Sequence, residues 1–171
     1  MFIEWASKAT PEDIAAANAW YSEASNLAEY LTTLNDDMSF DQAACVISAL
    51  SIRQTWNKNV DYAIRFALGD TPPVMSAILN ILDNIMDADD PYSVMNGDKT
   101  NSFARNIAGD MHAVTLDVWM IRAAGMDTAK SLNKTEYREM RDILRNEALE
   151  YGMLPAVFQA LVWIVARGSA K

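Results

Sequence analysis

NGDKTNSFARNIAGDMHAVTLDVWMIRAAG, residues 96–125, is the stretch whose reading decides the fold. Each half looks like a turn that opens a helix. Asn96-Gly97 is a turn pair, after which Phe103, Ala104 and Ile107 recur at helical spacing until Gly109 can end the run. Thr115 can cap a second helix that reaches about Ala124 and stops at Gly125. Lys99 then stands at the start of one helix and Asp117 in the first turn of the next. Unpaired backbone N–H groups at a helix start favour a carboxylate, whereas the helix dipole opposes a lysine there.

The same grammar continues on both sides. Thr10-Pro11-Glu12-Asp13 supplies an N-cap, a proline at the first helical position and acids in the first turn. The stripe Ile14, Ala17, Trp20, Tyr21, Ala24 and Leu27 predicts one long helix to about Thr33. Ser39 with Gln42 is a capping box for a second helix through Leu50. Trp56, Val60, Ile64 and Ala67 mark a third, stopped at Gly69. Pro72 and Pro73 open a fourth that ends in Asp87-Ala88-Asp89-Asp90-Pro91, followed by a turn over Tyr92–Gly97. Beyond residue 125, Asn133 with Glu136 boxes a helix ended by Gly152, and Pro155 opens the last. No segment alternates with period two. The expected fold is all-α, a single compact domain of about eight helices over residues 1–171.

Composition narrows the function classes. With 171 residues, 51 % of them hydrophobic, the chain can bury the core of one domain. No basic, apolar leader opens it, and the most apolar run, Leu154 to Ala166, is too short to span a bilayer, so no membrane partner is expected. Cys45 is the sole cysteine, which rules out an internal disulfide and fits a cytoplasmic setting. The net charge of −9 argues against a general nucleic-acid coat. Charge is unevenly spread: residues 1–98 hold 4 basic and 15 acidic residues, a net of −11, whereas residues 99–145 hold 8 and 6, a net of +2. Weak non-specific DNA binding through a local basic surface fits this pattern. So does a protein partner held by the acidic N-terminal part.

Asp117 reads either as ordinary helix capping or as a carboxylate held ionised beside a cleft, where it stabilises positive charge in a transition state or activates water. Lys99 reads as a solvated lysine or, if desolvated, as a nucleophilic amine. Gly97 can expose backbone N–H groups to a phosphate. His112 has no clustered ligands and reads as a loop residue, Asp87-Asp89-Asp90 as a solvated helix end rather than a metal loop, and Cys45 as a buried, inert thiol.

The combination of Lys99 and Asp117 resembles the helix-hairpin-helix base-excision DNA glycosylases. Their pattern LPGVGRKTA, a helix, then VDTHVxRV is matched here by SVMNGDKTN, a helix, then TLDVWMIRA. Lys99-Thr100 falls on the family's Lys-Thr, so Lys99 matches the Schiff-base lysine of bifunctional members. Asp117, 18 positions on, matches the catalytic aspartate, and Arg122 the arginine that follows it. VISALSIRQTWNKNV looks like the family's LLSAQTTDxxVNKA segment, and the resemblance covers residues 40–125. The chain is also similar to a group of small bacteriophage proteins, through Ser51-Trp56-Asn59, Gly97-Lys99-Thr100-Phe103-Asn106-Ile107 and Gln159-Ala160-Trp163. It departs from the glycosylase pattern at Met95, where a hairpin glycine is usual, at Asp98 in place of an arginine, and at Trp119 in place of a histidine. The four-cysteine iron–sulfur loop is absent.

The resemblance implies a glycosylase-like domain that cleaves the N-glycosidic bond of a modified or damaged base, with or without lyase activity through Lys99. It implies Asp117 and Lys99 as catalytic residues, and neither cofactor nor metal. Gln54, Trp56, Asn96, Gly97, Thr100, Trp119 and Arg122 are the expected substrate-binding residues, with Tyr92 a further aromatic for a flipped base. The location is then the cytoplasm, that of the host if the protein is phage-encoded. The alternatives are a non-catalytic acidic interaction or DNA-mimic protein on the same scaffold, and a base-modifying enzyme that does not excise.

Overall fold

A computed structural model describes residues 1–168. Among the described residues the structure is entirely helical, with ten α-helices, one 3₁₀ turn and no strand. They divide into two compact units, one formed by Ser22–Asp110 and the other by Met1–Tyr21 with the chain from Met111 onward.

The Ser22–Asp110 unit contains α3 (Ser22–Leu34), α4 (Phe40–Leu50), α5 (Trp56–Ala67), α6 (Ser76–Asp87), a 3₁₀ turn (Pro91–Val94) and α7 (Asp98–Ile107). Its centre is α4, with every residue from Ala43 to Leu50 buried and with α3, α5, α6 and α7 packed around it. The reason is in its sequence, AACVISAL, which is small or apolar on every face and so has no side to offer water. Ser39 and Gln42 form the expected capping box. The one buried hydroxyl of this stretch, on Ser48, donates to the Thr100 carbonyl at 2.7 Å and ties α4 to the first turn of α7.

The other unit contains α1 (Ile3–Ala6), α2 (Pro11–Asn18), α8 (Val118–Ala123), α9 (Lys134–Tyr151) and α10 (Pro155–Arg167). Here α10 is central, surrounded by α1, α2, α8 and α9. Pro155 occupies its first turn, where no backbone donor is needed. The Asn133–Glu136 box opens α9, and Gly152 closes it at φ 81°, a left-handed position that a Cβ would strain.

Three expectations need correction. The long helix over residues 10–33 is two helices, α2 and α3, broken at Ala19–Tyr21, because tertiary partners claim Trp20 and Tyr21. Pro72-Pro73 do not open α6: they form a turn in which the Val74 N–H donates to the Pro72 carbonyl at 2.8 Å, and the helix starts at Ser76. Thr115 does not cap α8. It is buried and hydrogen-bonded to Tyr21, and Asp117 itself is the N-cap. Among the described residues no single helix is long and apolar enough to cross a membrane.

Candidate functional site

The segment leading into α8 is held from below by α9. The buried Tyr137 hydroxyl donates to the Val114 carbonyl at 2.7 Å and accepts the Leu116 N–H at 3.0 Å, tying residues 114–116 to α9. Asp117 follows directly, half-buried, at the point where the chain turns into α8. Its Oδ1 accepts the backbone N–H groups of Trp119 and Met120, at 3.0 and 3.1 Å. Its Oδ2 accepts the indole N–H of Trp163 from α10 at 2.8 Å. Three donors on one carboxylate fix its orientation.

Aromatic groups gather around that carboxylate. Trp20 lies against Trp163 with ring centroids 4.8 Å apart, and the Arg167 guanidinium covers Trp163 at 4.7 Å. Arg122 covers Trp119 at 4.8 Å. Deeper, the Tyr21 hydroxyl donates to Gln159 Oε1 at 2.7 Å. Burial drives the Tyr21 phenol well above its usual range. The Thr115 bond opposes this, while the charge of Asp117 and the nearby Tyr137 add to it. Tyr21 therefore stays a neutral donor at any ordinary pH.

Lys99 belongs to the other unit. It is exposed in the first turn of α7, and among the described residues its side chain forms no hydrogen bond or ion pair. Gly97 is the N-cap of α7 and provides no side-chain cap. Asn96, Gly97 and Thr100 do come together, at the rim of a cavity of about 300 Å³ walled by Ala49, Ile52, Ile81, Val94 and Met95. Met95, in the hairpin-glycine position of the pattern, is buried. The loop is clamped from α7: the Asn101 amide donates to the carbonyls of Tyr92 and Met95, at 2.9 and 3.3 Å. Arg105 Nε donates to Asn101 Oδ1, and its guanidinium covers the Tyr92 ring at 4.6 Å. Tyr92 donates to the Asp41 carboxylate, and burial followed by that carboxylate lifts its phenol above the usual range.

Of the expected substrate-binding residues, Trp119 and Arg122 share α8 with Asp117, whereas Asn96, Gly97 and Thr100 line the cavity. Gln54 and Trp56 join neither group. Gln54 lies in the loop before α5, and the half-buried Trp56 donates its indole N–H to Glu23 at 2.7 Å. Trp163, Trp20 and Arg167 were not among the expected site residues. The one signal for them in the sequence is the Gln159-Ala160-Trp163 motif, which reads equally well as core. Cys45 is fully buried, and burial first, with Asp41 and Asp90 adding, pushes its thiol up to about 12. His112 lies exposed in a turn, where its carbonyl accepts from Arg145. Among the described residues no three His, Cys, Asp or Glu side chains converge as a metal site.

No curated protein and no solved structure matches the chain. The model of DUF7178, a family of unknown function, matches residues 2–170, and the chain belongs to that family.

Proposed function

We propose that the protein is a DNA glycosylase-like enzyme, with a helix-hairpin-helix scaffold, that cleaves the N-glycosidic bond of a modified or damaged base. The observation that carries this reading is the Asp117 carboxylate, fixed by two backbone N–H groups and by the indole of Trp163, whose ring packs on Trp20. As the bond from C1′ to the base breaks, its electron pair leaves with the base, and positive charge builds on the sugar. Asp117 stabilises that charge, water adds to C1′, and the proton that water loses is balanced by one taken up by the departing base. In a bifunctional variant of the reaction a lysine amine takes the place of water at C1′. The sugar ring opens at C1′–O4′ as the imine forms, and loss of a C2′ proton then expels the 3′ phosphate. Lys99 is the lysine the resemblance offers for that role. The cytoplasm, of the host if the protein is phage-encoded, is where such a substrate is met.

The test is borohydride trapping on a panel of DNAs carrying modified and damaged bases, with alkali treatment of parallel samples. Abasic sites that fall about 100-fold in Asp117→Asn and persist in Lys99→Ala establish a monofunctional enzyme. A covalent adduct lost in Lys99→Ala establishes the lyase. No adduct and no alkali-labile site on any substrate overturns the reading.

A second reading rests on the Ser22–Asp110 unit, which holds 13 acidic and 5 basic residues, a net of −8. Such a surface suits a basic protein partner, in the manner of a DNA mimic. A stoichiometric complex with a basic DNA-binding protein that duplex DNA displaces would support it.

A further inference from the structure

Three cation–indole pairs lie on, or are hydrogen-bonded to the ends of, the six-residue helix α8. Each is tied to that helix by a separate hydrogen bond. Trp119 is on α8, with its backbone N–H on Asp117 and Arg122 across its ring. Trp163 reaches the start of α8 through its indole bond to Asp117, and carries Arg167. Trp5 reaches the far end, where its indole N–H donates to the Ala123 carbonyl at 3.0 Å, and carries Lys8 at 4.7 Å.

All three cations are exposed, and among the described residues none of them is paired with a carboxylate. The indoles beneath them are half-buried, and those of Trp5 and Trp163 are held by hydrogen bonds. Local helix energetics accounts for each pair singly, since Trp5–Lys8 and Trp119–Arg122 are spaced i, i+3 and Trp163–Arg167 i, i+4. It does not account for three pairs, from three helices, meeting at one short helix with their charges unanswered.

An immobilised guanidinium backed by an indole is a flat cationic plate. Its outer face can stack on an unpaired base, while its N–H edges address phosphate oxygens. A duplex keeps its base faces stacked on one another and needs many neutralised phosphates. Two isolated plates and one indole-backed ammonium suit an unpaired strand instead. We propose that the surface around α8 binds a single strand of DNA, through Arg122, Arg167 and Lys8. This deepens the glycosylase-like reading by naming the strand state of its substrate, and it rests on that reading for the choice of DNA.

The experiment is fluorescence anisotropy with a labelled oligo-dT of 20 nucleotides, the equivalent oligo-U and a 20-base-pair duplex. Asp117→Asn serves as the parent protein, because asparagine keeps the N-cap while cleavage is removed from the readout. The oligo-dT is expected to bind at least about tenfold tighter than the duplex. Its salt slope should reflect about three phosphate contacts at about 0.7 each. Arg122→Ala with Arg167→Ala should weaken it about tenfold or more and flatten the slope. The paired Arg→Lys changes should restore the slope but not the full affinity, since lysine carries charge without a plate. Arg138→Ala, an exposed guanidinium on α9 with no ring beneath it among the described residues, should change nothing.

Duplex binding equal to that of oligo-dT overturns the proposal, as does unchanged affinity in the double Ala variant or tighter binding of oligo-U. The two readings fail separately. Cleavage of duplex substrates without strand binding sinks only the strand proposal, and strand binding without cleavage sinks only the glycosylase-like one.

Discussion

The two units are built from the same element and differ in what they do with charge and aromatic surface. In the Ser22–Asp110 unit a largely apolar helix, α4, is enclosed by amphipathic neighbours, and the unit is acidic, at a net of −8. That unit holds one of the five tryptophans. The unit of the two chain ends holds the other four, together with three of the four cation–ring contacts described above. Its central helix, α10, is apolar as well, yet Gln159 and Trp163 on it make polar bonds, to Tyr21 and Asp117. The polar bonds of the first unit's central helix, from Ser48 to the Thr100 carbonyl and from Tyr92 to Asp41, join it to neighbouring segments of the same core. The second unit uses its central helix both for packing and to hold a carboxylate in a polar, aromatic setting, which is why the candidate chemistry is placed there.

Core truncation tests how far the units are separate, and has the largest expected effect. Phe158 and Leu82 are fully buried, one in each unit. Phe158→Ala should cost about 3–5 kcal/mol and Leu82→Ala about 2–5 kcal/mol in urea unfolding. Hydrogen exchange then sharpens the comparison. If the units unfold independently, Phe158→Ala lowers protection in α8, α9 and α10 while α4 keeps its own, and a uniform loss would show one cooperative fold.

The carboxylate comes next. Asp117→Ala removes the cap of α8 and the acceptor of the Trp163 indole, and should cost about 1–2 kcal/mol in the same measurement. Asp117→Asn keeps a capping oxygen and should cost less than about 1 kcal/mol. Equal losses in the two variants would mean that charge, rather than the cap, holds this corner.

Cys45 separates the units by pH. Its folded thiol is pushed up to about 12, above the ordinary value near 9. The unfolded state therefore loses its proton first, and the stability that this site contributes is complete below pH 9 and declines as pH rises towards 12. Cys45→Ala should flatten the part of the alkaline loss seen by probes in the Ser22–Asp110 unit. At pH 8 the native thiol should also react with a disulfide reagent far more slowly than the urea-unfolded chain. Rapid native labelling would contradict its burial. The smallest effect belongs to Arg65→Ala, which breaks the exposed pair with Asp61 and should shift stability by less than about 0.5 kcal/mol in urea unfolding.

Legibility followed the range of the interactions. The Ser39–Gln42 and Asn133–Glu136 boxes, Pro155 and Gly152 mark helix ends correctly, because capping involves residues only a few positions apart. The Thr10 N-cap and Pro11 mark the start of α2 equally well, and only the far end of that helix differs from the expectation. There the periodic stripe runs straight through Trp20 and Tyr21, whose partners Trp163 and Gln159 lie about 140 positions away. Near Asp117 a helix start was legible. That the aspartate rather than Thr115 does the capping was not, since Thr115 is taken by Tyr21.

By itself, the sequence determined the helical class, most helix starts and stops, the buried character of α4, and the acidic charge of the first half of the chain. Each of these follows from the chemistry of neighbouring residues. The tertiary structure alone decided that Lys99 and Asp117 belong to different units, that Trp163 rather than a loop residue completes the bonding of Asp117, and that three cation-covered tryptophans meet at α8. Those facts depend on which helix ends pack together. Packing is set by the sum of many weak apolar contacts across the chain, and no short window of sequence contains that sum.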